Sequence, residues 1–246
     1  MALGRRHALP VSAWPAADQA LWQSIIAEGD ILDGSGPAAH WAPSTKNNVR
    51  KAYGYWLYWL SITEKLDKTV IPMDRITPER IAAYVKSLEG AVASSTIFTY
   101  TLDLLRLAKP VAPDIDWTWF TNIKNRLWAR AKPAKDKTQR VRPSIDLFDL
   151  GLDLMNSAAG VKCRYNSQAS ETQYRDGLII ALLAARPLRL KNLAAIEIGL
   201  HLIKVGGIYW LRFDAAEVKN RKHIEVPVPG ILTAYIELYC AVHRPI

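Results

Sequence analysis

The side chains of this 246-residue chain best placed to do chemistry are cations. Arg189 stands in Ala184-Ala185-Arg186-Pro187-Leu188-Arg189-Leu190-Lys191-Asn192-Leu193, where a long apolar helix gives way to the next one. Thirty positions after Arg189, Lys219 opens Lys219-Asn220-Arg221-Lys222, a turn between two strand-like runs. From Ala129 to Pro143 there are six more cations, Arg130, Lys132, Lys135, Lys137, Arg140 and Arg142, against the single acid Asp136. A guanidinium is a planar, permanently charged fork that matches two phosphate oxygens at once, and a lysine ammonium is a compact point charge on a flexible stem. With a net charge of +9, the expected partner is a polyanion, nucleic acid first and an anionic membrane surface second.

These cations need elements to hold them. Residues 1–43 are rich in Pro, Gly and Ala, with one predicted helix over Ala16–Ala27 that Gly34-Ser35-Gly36-Pro37 breaks. From Ser44, read as an N-cap, Val49, Ala52, Tyr53, Trp56, Leu57 and Leu60 recur at helical spacing. Thr77-Pro78-Glu79 is a cap, a proline at the first helical position and an acid in the first turn; its helix buries Ile81, Tyr84, Val85 and Leu88 and stops at Gly90. A third helix runs from Ser94 or Ser95 to Pro110, and a fourth from Thr118 to Arg130. Four short helices with small connections make a compact bundle.

The basic stretch, bracketed by Pro133 and Pro143, is too poor in apolar residues to build a core and reads as a linker. Ser144 is read as the cap of a helix to Ser157. Ser170-Glu171-Thr172-Gln173 is read as a capping box for a helix ending at Ala185, apolar on nearly all sides past Gly177 and so expected to be central. After a short helix at Leu190–Ile196 the period changes to two. Leu200–Val205 and Ile208–Phe213 form a hairpin around Gly206-Gly207, His223–Val228 is a third strand, and a helix over Leu232–Val242 follows.

Composition removes several functions. Cys163 and Cys240 have no CxxC or metal-ligand spacing and read as reduced thiols. The five histidines are scattered without metal spacing, and Asp33-Gly34-Ser35-Gly36 lacks the Lys-Ser/Thr of a nucleotide-binding loop. Arg5-Arg6 is followed by His7, Pro10, Ser12 and Pro15 rather than by an apolar leader. The longest uncharged apolar run, Gly177–Ala185, falls short of the ~20 residues of a membrane span. Tyr53, Trp56 and Trp59 could stack on bases, but their helical spacing makes them core residues.

Helices, a basic linker, then helix–helix–three-stranded sheet–helix is an order that resembles the tyrosine recombinases of phage-integrase type, over about residues 40 to 246. Ser44-Thr45, Ile76-Thr77-Pro78-Glu79-Arg80-Ile81 and Ser95-Thr96-Ile97 are similar to the helix openings of the family's core-binding domain. The resemblance implies a mainly α fold with a small antiparallel sheet (α+β). A helical, SAM-like DNA-binding bundle would occupy 44–130, after an N-terminal extension 1–43. A basic linker at 131–143 would lead to a C-terminally incomplete catalytic domain at 144–246, the two domains clamping duplex DNA. It further implies that Arg189 grips the non-bridging oxygens of the scissile phosphate, where charge develops in phosphoryl transfer. Lys219 then resembles the general acid for the departing 5′-hydroxyl, with Arg221 and Lys222 able to substitute in a shifted register. Lys191 and the six linker cations join Arg221 and Lys222 as expected phosphate contacts, and Asn192 supports Arg189 where the family often has an acid. Pro187 replaces a usual glycine.

The family's His-x-x-Arg and the tyrosine that forms the 3′-phosphotyrosyl bond have no match: His243-Arg244 is adjacent, and Tyr209, Tyr235 and Tyr239 read as structural. The expectation is a cytoplasmic DNA-binding portion of a mobile-element recombinase or integrase. It would need no metal, nucleotide, small-molecule substrate or membrane. Alone it would bind duplex DNA without cleaving it and stay monomeric in free solution; the full-length protein would assemble as a homo-oligomer on DNA. Two rivals stand beside it, a non-catalytic DNA-binding or regulatory remnant of an integrase and a helical protein–protein adaptor with an incidental basic stretch.

Overall fold

A computed structural model describes residues 7–63, 65–133, 136–158 and 168–244. Its Cα atoms cluster into two compact units, Met1–Asp136 and Lys137–Ile246. Among the described residues the fold is mainly helical, with nine α-helices and one three-stranded antiparallel sheet.

The first unit contains α1 (Ala16–Ile26), α2 (Pro43–Ile62), α3 (Pro78–Leu88), α4 (Ser94–Val111) and α5 (Thr118–Arg130). In α2 the residues Val49, Tyr53, Trp56, Leu57 and Leu60 face inward at three- and four-residue spacing. Trp56 stacks on Trp59 at 5.2 Å and meets the edge of Tyr84 on α3 at 5.2 Å. Ser44 is not the cap of α2. Pro43 takes the first helical position, where its missing N–H costs nothing, and Ala42 precedes it without a side-chain bond. Thr77 does cap α3, its hydroxyl accepting the Arg80 N–H at 3.3 Å. Gly90, at φ +73°, turns the chain just past that helix through a left-handed conformation that glycine adopts without Cβ strain. α4 continues one residue past Pro110, whose lack of an N–H is tolerated in the final turn.

The residues before Pro43 share this core, since Trp14, Trp22, Ile25 and Ala38 are buried in it. They are also locked by charge. Arg75 Nη1 donates to both carboxylate oxygens of Asp18, at 2.8 and 2.9 Å; its Nε and Nη2 donate to the carbonyls of Asp67 and Val70 at 3.0 and 2.8 Å. The Tyr53 hydroxyl donates to the same carboxylate. A buried ion pair is tolerated when the surplus donors and acceptors are also paired, as they are here. Burial, and then the Asp18 charge, push the Tyr53 phenol well above its ordinary range.

The second unit contains α6 (Ser144–Ser157), α7 (Ala169–Ala185), α8 (Leu190–Ala194), β1 (Leu202–Val205), β2 (Ile208–Phe213), β3 (Ile224–Pro227) and α9 (Leu232–Leu238), which runs into a π-helical turn at Tyr239–His243. α6 and α7 pack backbone to backbone at two glycines: a Cβ on Gly151 would lie 2.7 Å from the Gly177 carbonyl, and the reverse distance is the same. Ser144 starts α6 without capping it, and the expected capping box is absent from α7. Gln173 reaches across instead, donating to Leu154 O at 3.1 Å and Ser157 Oγ at 3.0 Å on α6. The tertiary partner satisfies the amide that the local motif would have used.

In the sheet, β2 is central, paired with β1 from Leu202↔Leu211 to Val205↔Ile208 and with β3 from Trp210↔Pro227 to Phe213↔Ile224. Gly206 and Gly207, at φ +59° and +86°, form the hairpin turn, whose geometry requires left-handed residues. Leu211 and Phe213 alternate inward onto a core with Leu202, Leu232 and Ile236. α7 is less central than its composition predicts. Tyr174, Gly177, Ala181 and Leu182 are buried, whereas Leu178 and Ile179 line a cleft edged by Arg175 and Arg244.

Candidate functional site

Pro187 follows α7 and denies the chain a continued helix, and Arg186 fixes the break. Its backbone N–H donates to Leu182 O at 2.7 Å, and its Nε donates to Pro227 O of β3 at 2.8 Å. Nothing in the local sequence singles out Arg186, yet it ties the α7–α8 junction to the sheet. Three residues on, Arg189 occupies the N-cap position of α8, in extended backbone conformation, and its carbonyl accepts the Leu193 N–H at 2.9 Å. The Arg189 side chain is exposed. Its hydrogen bond is a long one, from Nη1 to Asn220 Oδ1 at 3.5 Å.

That hydrogen bond brings Arg189 beside the turn that carries the other sequence-derived candidate, Lys219. Asn220 follows Lys219 in the β2–β3 connection, Asp214–His223, so the turn carrying Lys219, Arg221 and Lys222 comes up beside the α8 N-terminus. Val218 is buried and roots the turn, while Lys219, Asn220, Arg221 and Lys222 are exposed around it. Arg221 sits at φ +50°, a left-handed conformation in which a side chain is strained. Lys191, on the first turn of α8, is exposed as well. Asn192 is buried, and its amide donates to Glu217 O at 3.4 Å, so the hydrogen bond it makes holds the β2–β3 connection against α8.

Glu217 and its partner His201 are site residues that sequence reading missed. His201, just before β1, is buried and stacks on Phe213 at 4.9 Å. Its Nε2 lies 2.8 Å from Glu217 Oε1. The His201 hydrogen bond, and then the Asp214 N–H, hold the Glu217 carboxyl below the usual carboxylate range; the nearby Lys191 charge acts in the same direction. Sixteen positions separate the pair, and only the fold-back after β2 brings them together.

The basic stretch divides between the two units. In the first, Arg130 ends α5 and Lys132 is pinned at its backbone, its N–H donating to Ser94 Oγ at 2.9 Å. In the second, Lys137 precedes a short 3-10 turn that contains Arg140, and Arg142 follows. All five side chains are exposed; Lys135 and Cys163 lie outside the described residues. Cys240 is half-buried, and burial pushes its thiol above the ordinary range, away from nucleophile chemistry. Tyr235 donates from its hydroxyl to Asn156 Oδ1 at 2.9 Å, and Tyr239 lies parallel to Tyr174 at 6.4 Å, which gives both packing roles.

Among the described residues, no group of His, Cys, Asp or Glu is placed to hold a metal ion. No described helix is long and apolar enough to cross a membrane. What the arrangement offers is an exposed guanidinium with a lysine-bearing turn beside it, both open to solvent, a combination suited to phosphate oxygens. No protein-family model matches the chain, nor does any curated protein or solved structure.

Proposed function

We propose that this protein binds duplex DNA through the backbone phosphates, as part of a tyrosine recombinase acting in site-specific recombination or integration. Arg189 takes the non-bridging oxygens of one phosphate, and the Lys219–Lys222 turn enters the adjacent groove. In the family's strand cleavage a tyrosine oxygen bonds to phosphorus as the bond to the 5′-oxygen breaks. Arg189 would stabilise the charge on the non-bridging oxygens and Lys219 would protonate the departing 5′-oxygen, with none of Tyr209, Tyr235 and Tyr239 assigned as that nucleophile. Lys191 and the exposed cations between Arg130 and Arg142 add phosphate contacts that hold the duplex without reading its sequence.

The single observation that carries this reading is the approach of Asn220 to Arg189, 3.5 Å apart across 31 positions of chain. It supports the reading by bringing two features that are separate in the sequence close together, and among the described residues neither Arg189 nor Lys219 is in an ion pair.

The test is the salt dependence of duplex binding. Each neutralised phosphate contributes about 0.9 to the slope of log K against log salt. Replacing Lys137, Arg140 and Arg142 by Ala flattens the slope by about 0.9 for each of these side chains that touches a phosphate. An unchanged slope removes the basic stretch from the interface, and binding that ignores salt altogether contradicts the proposal.

A further inference from the structure

The Lys219 turn is short, exposed at its tip and strained at Arg221, so something must hold it beside Arg189. We infer that His201 and Glu217 are positioning residues, a brace that fixes the Glu217–Lys222 turn so that Lys219 and Asn220 stand beside Arg189. The inference rests on the proposed phosphate site, because it names what keeps that site assembled.

The donors and acceptors define the brace. His201 Nδ1 accepts the backbone N–H of Glu197 at 3.1 Å. A neutral imidazole whose Nδ1 accepts carries its proton on Nε2. That Nε2–H therefore donates to Glu217 Oε1, at 2.8 Å. The other oxygen of the same carboxylate accepts the Asp214 N–H, also at 2.8 Å. Glu217 thus faces a donor at each oxygen, and only an acceptor-only group satisfies both. The imidazole is buried against Phe213, and the His201 backbone carbonyl accepts the Arg212 N–H at 2.8 Å, which anchors the main chain that carries the ring. From the opposite side, Asn192 on α8 holds the Glu217 carbonyl. The turn is clamped between sheet and α8 at the residue two positions before Lys219.

Glu217→Gln is the discriminating variant. It keeps size and shape, but its amide nitrogen must face either the His201 Nε2–H or the Asp214 N–H, so one of the two bonds becomes a donor–donor clash. The side chain is 42% exposed, so the fold can accommodate the change. The experiment measures binding of a fluorescein-labelled duplex to the whole chain, in four forms: unaltered, E217Q, K219A and E217Q/K219A. Melting temperatures serve as a folding control. Removing the Lys219 charge weakens binding about eightfold at 0.1 M salt and lowers the salt slope by about 0.9. E217Q is expected to weaken binding by up to that factor and to lower the slope in the same way. In the K219A background its effect is expected to be clearly smaller, limited to what Arg221 and Lys222 on the same turn contribute, whereas a merely structural role would cost the same with or without Lys219.

Two results overturn the brace while leaving the DNA site intact: K219A weakens binding but E217Q does not, or the E217Q loss recurs in full when Lys219 is absent. If K219A matches the unaltered chain at every salt concentration, the phosphate site itself fails and the brace has nothing to position.

Discussion

Arg75 and Arg189 carry the same side chain and are put to opposite uses. The Arg75 side chain has no exposed surface and donates four hydrogen bonds, two to Asp18 and two to backbone carbonyls. The Arg189 side chain is exposed and donates one hydrogen bond at the outer limit of length, to a neutral amide. The first unit therefore consumes its arginine in folding, closing the N-terminal segment onto α2 and the Pro72–Arg75 turn. The second leaves its arginine's charge open beside a lysine-bearing turn. Removing Arg75's partner should cost stability; removing Arg189 should cost binding.

The largest effect belongs to the buried pair. Asp18→Ala strands the Arg75 charge in the core and should destabilise the first unit by about 3–5 kcal/mol, whereas replacing Asp18 by Leu and Arg75 by Met together should cost less. Eight of the nine tryptophans lie in Met1–Asp136, so urea titration followed by tryptophan fluorescence reports this unit almost alone. A loss below about 1 kcal/mol for D18A would mean the pair is dispensable.

In the second unit the corresponding dependence is on close packing rather than charge. Gly177→Ala places a Cβ 2.7 Å from the Gly151 carbonyl and 3.0 Å from Leu154 Cβ. It should destabilise that unit by about 1–3 kcal/mol, read by calorimetry as a shift of one transition. A neutral outcome would show that α6 and α7 can separate freely.

Alkaline pH should act on the two units alike. The Tyr53 phenol is raised by burial and by Asp18, and Tyr174 is pushed up to about 12 by burial and by Tyr235. A raised phenol contributes stability that is fully present below the unfolded value near 10 and is lost as pH rises through the folded value. Both units should therefore weaken from about pH 10 upward, and by about pH 12 the Tyr174 contribution should be gone. Melting curves across that range check it; a flat profile contradicts the burial of the two phenols. The smallest effect is at the site. Arg221→Gly relieves the left-handed strain and should stabilise the second unit by up to about 1 kcal/mol while slightly weakening duplex binding, opposite signs that no purely structural residue would show.

The elements themselves can be read from the chain because they depend on local periodicity and punctuation. α5 spans the predicted residues Thr118–Arg130, Thr77 caps α3, and Gly206-Gly207 turns the hairpin. The caps expected at Ser44, Ser144 and Ser170 do not form, because a serine ahead of an apolar run is only a candidate and the chain around it chooses the first helical residue. By its Pro and Gly content the N-terminal segment resembles an appendage. What binds it into the core, Asp18 answering an arginine 57 positions away, is a tertiary pairing no local pattern shows. The site follows the same division. Arg189 and Lys219 stand out by type and place, whereas Arg186, His201, Glu217 and Asn220 owe their roles to contacts made only when β2 and β3 fold back on α8.

The sharpest test of the open arginine is Arg189→Ala in the whole chain, titrated against a labelled duplex over a series of salt concentrations. The melting temperature should stay unchanged within the equivalent of about 0.5 kcal/mol. Affinity should fall about eightfold at 0.1 M salt, and the slope of log K against log salt should be lower by about 0.9. Binding equal to that of the unaltered chain at every salt concentration would refute the phosphate site, and would leave Arg189 an ordinary surface arginine at a helix terminus.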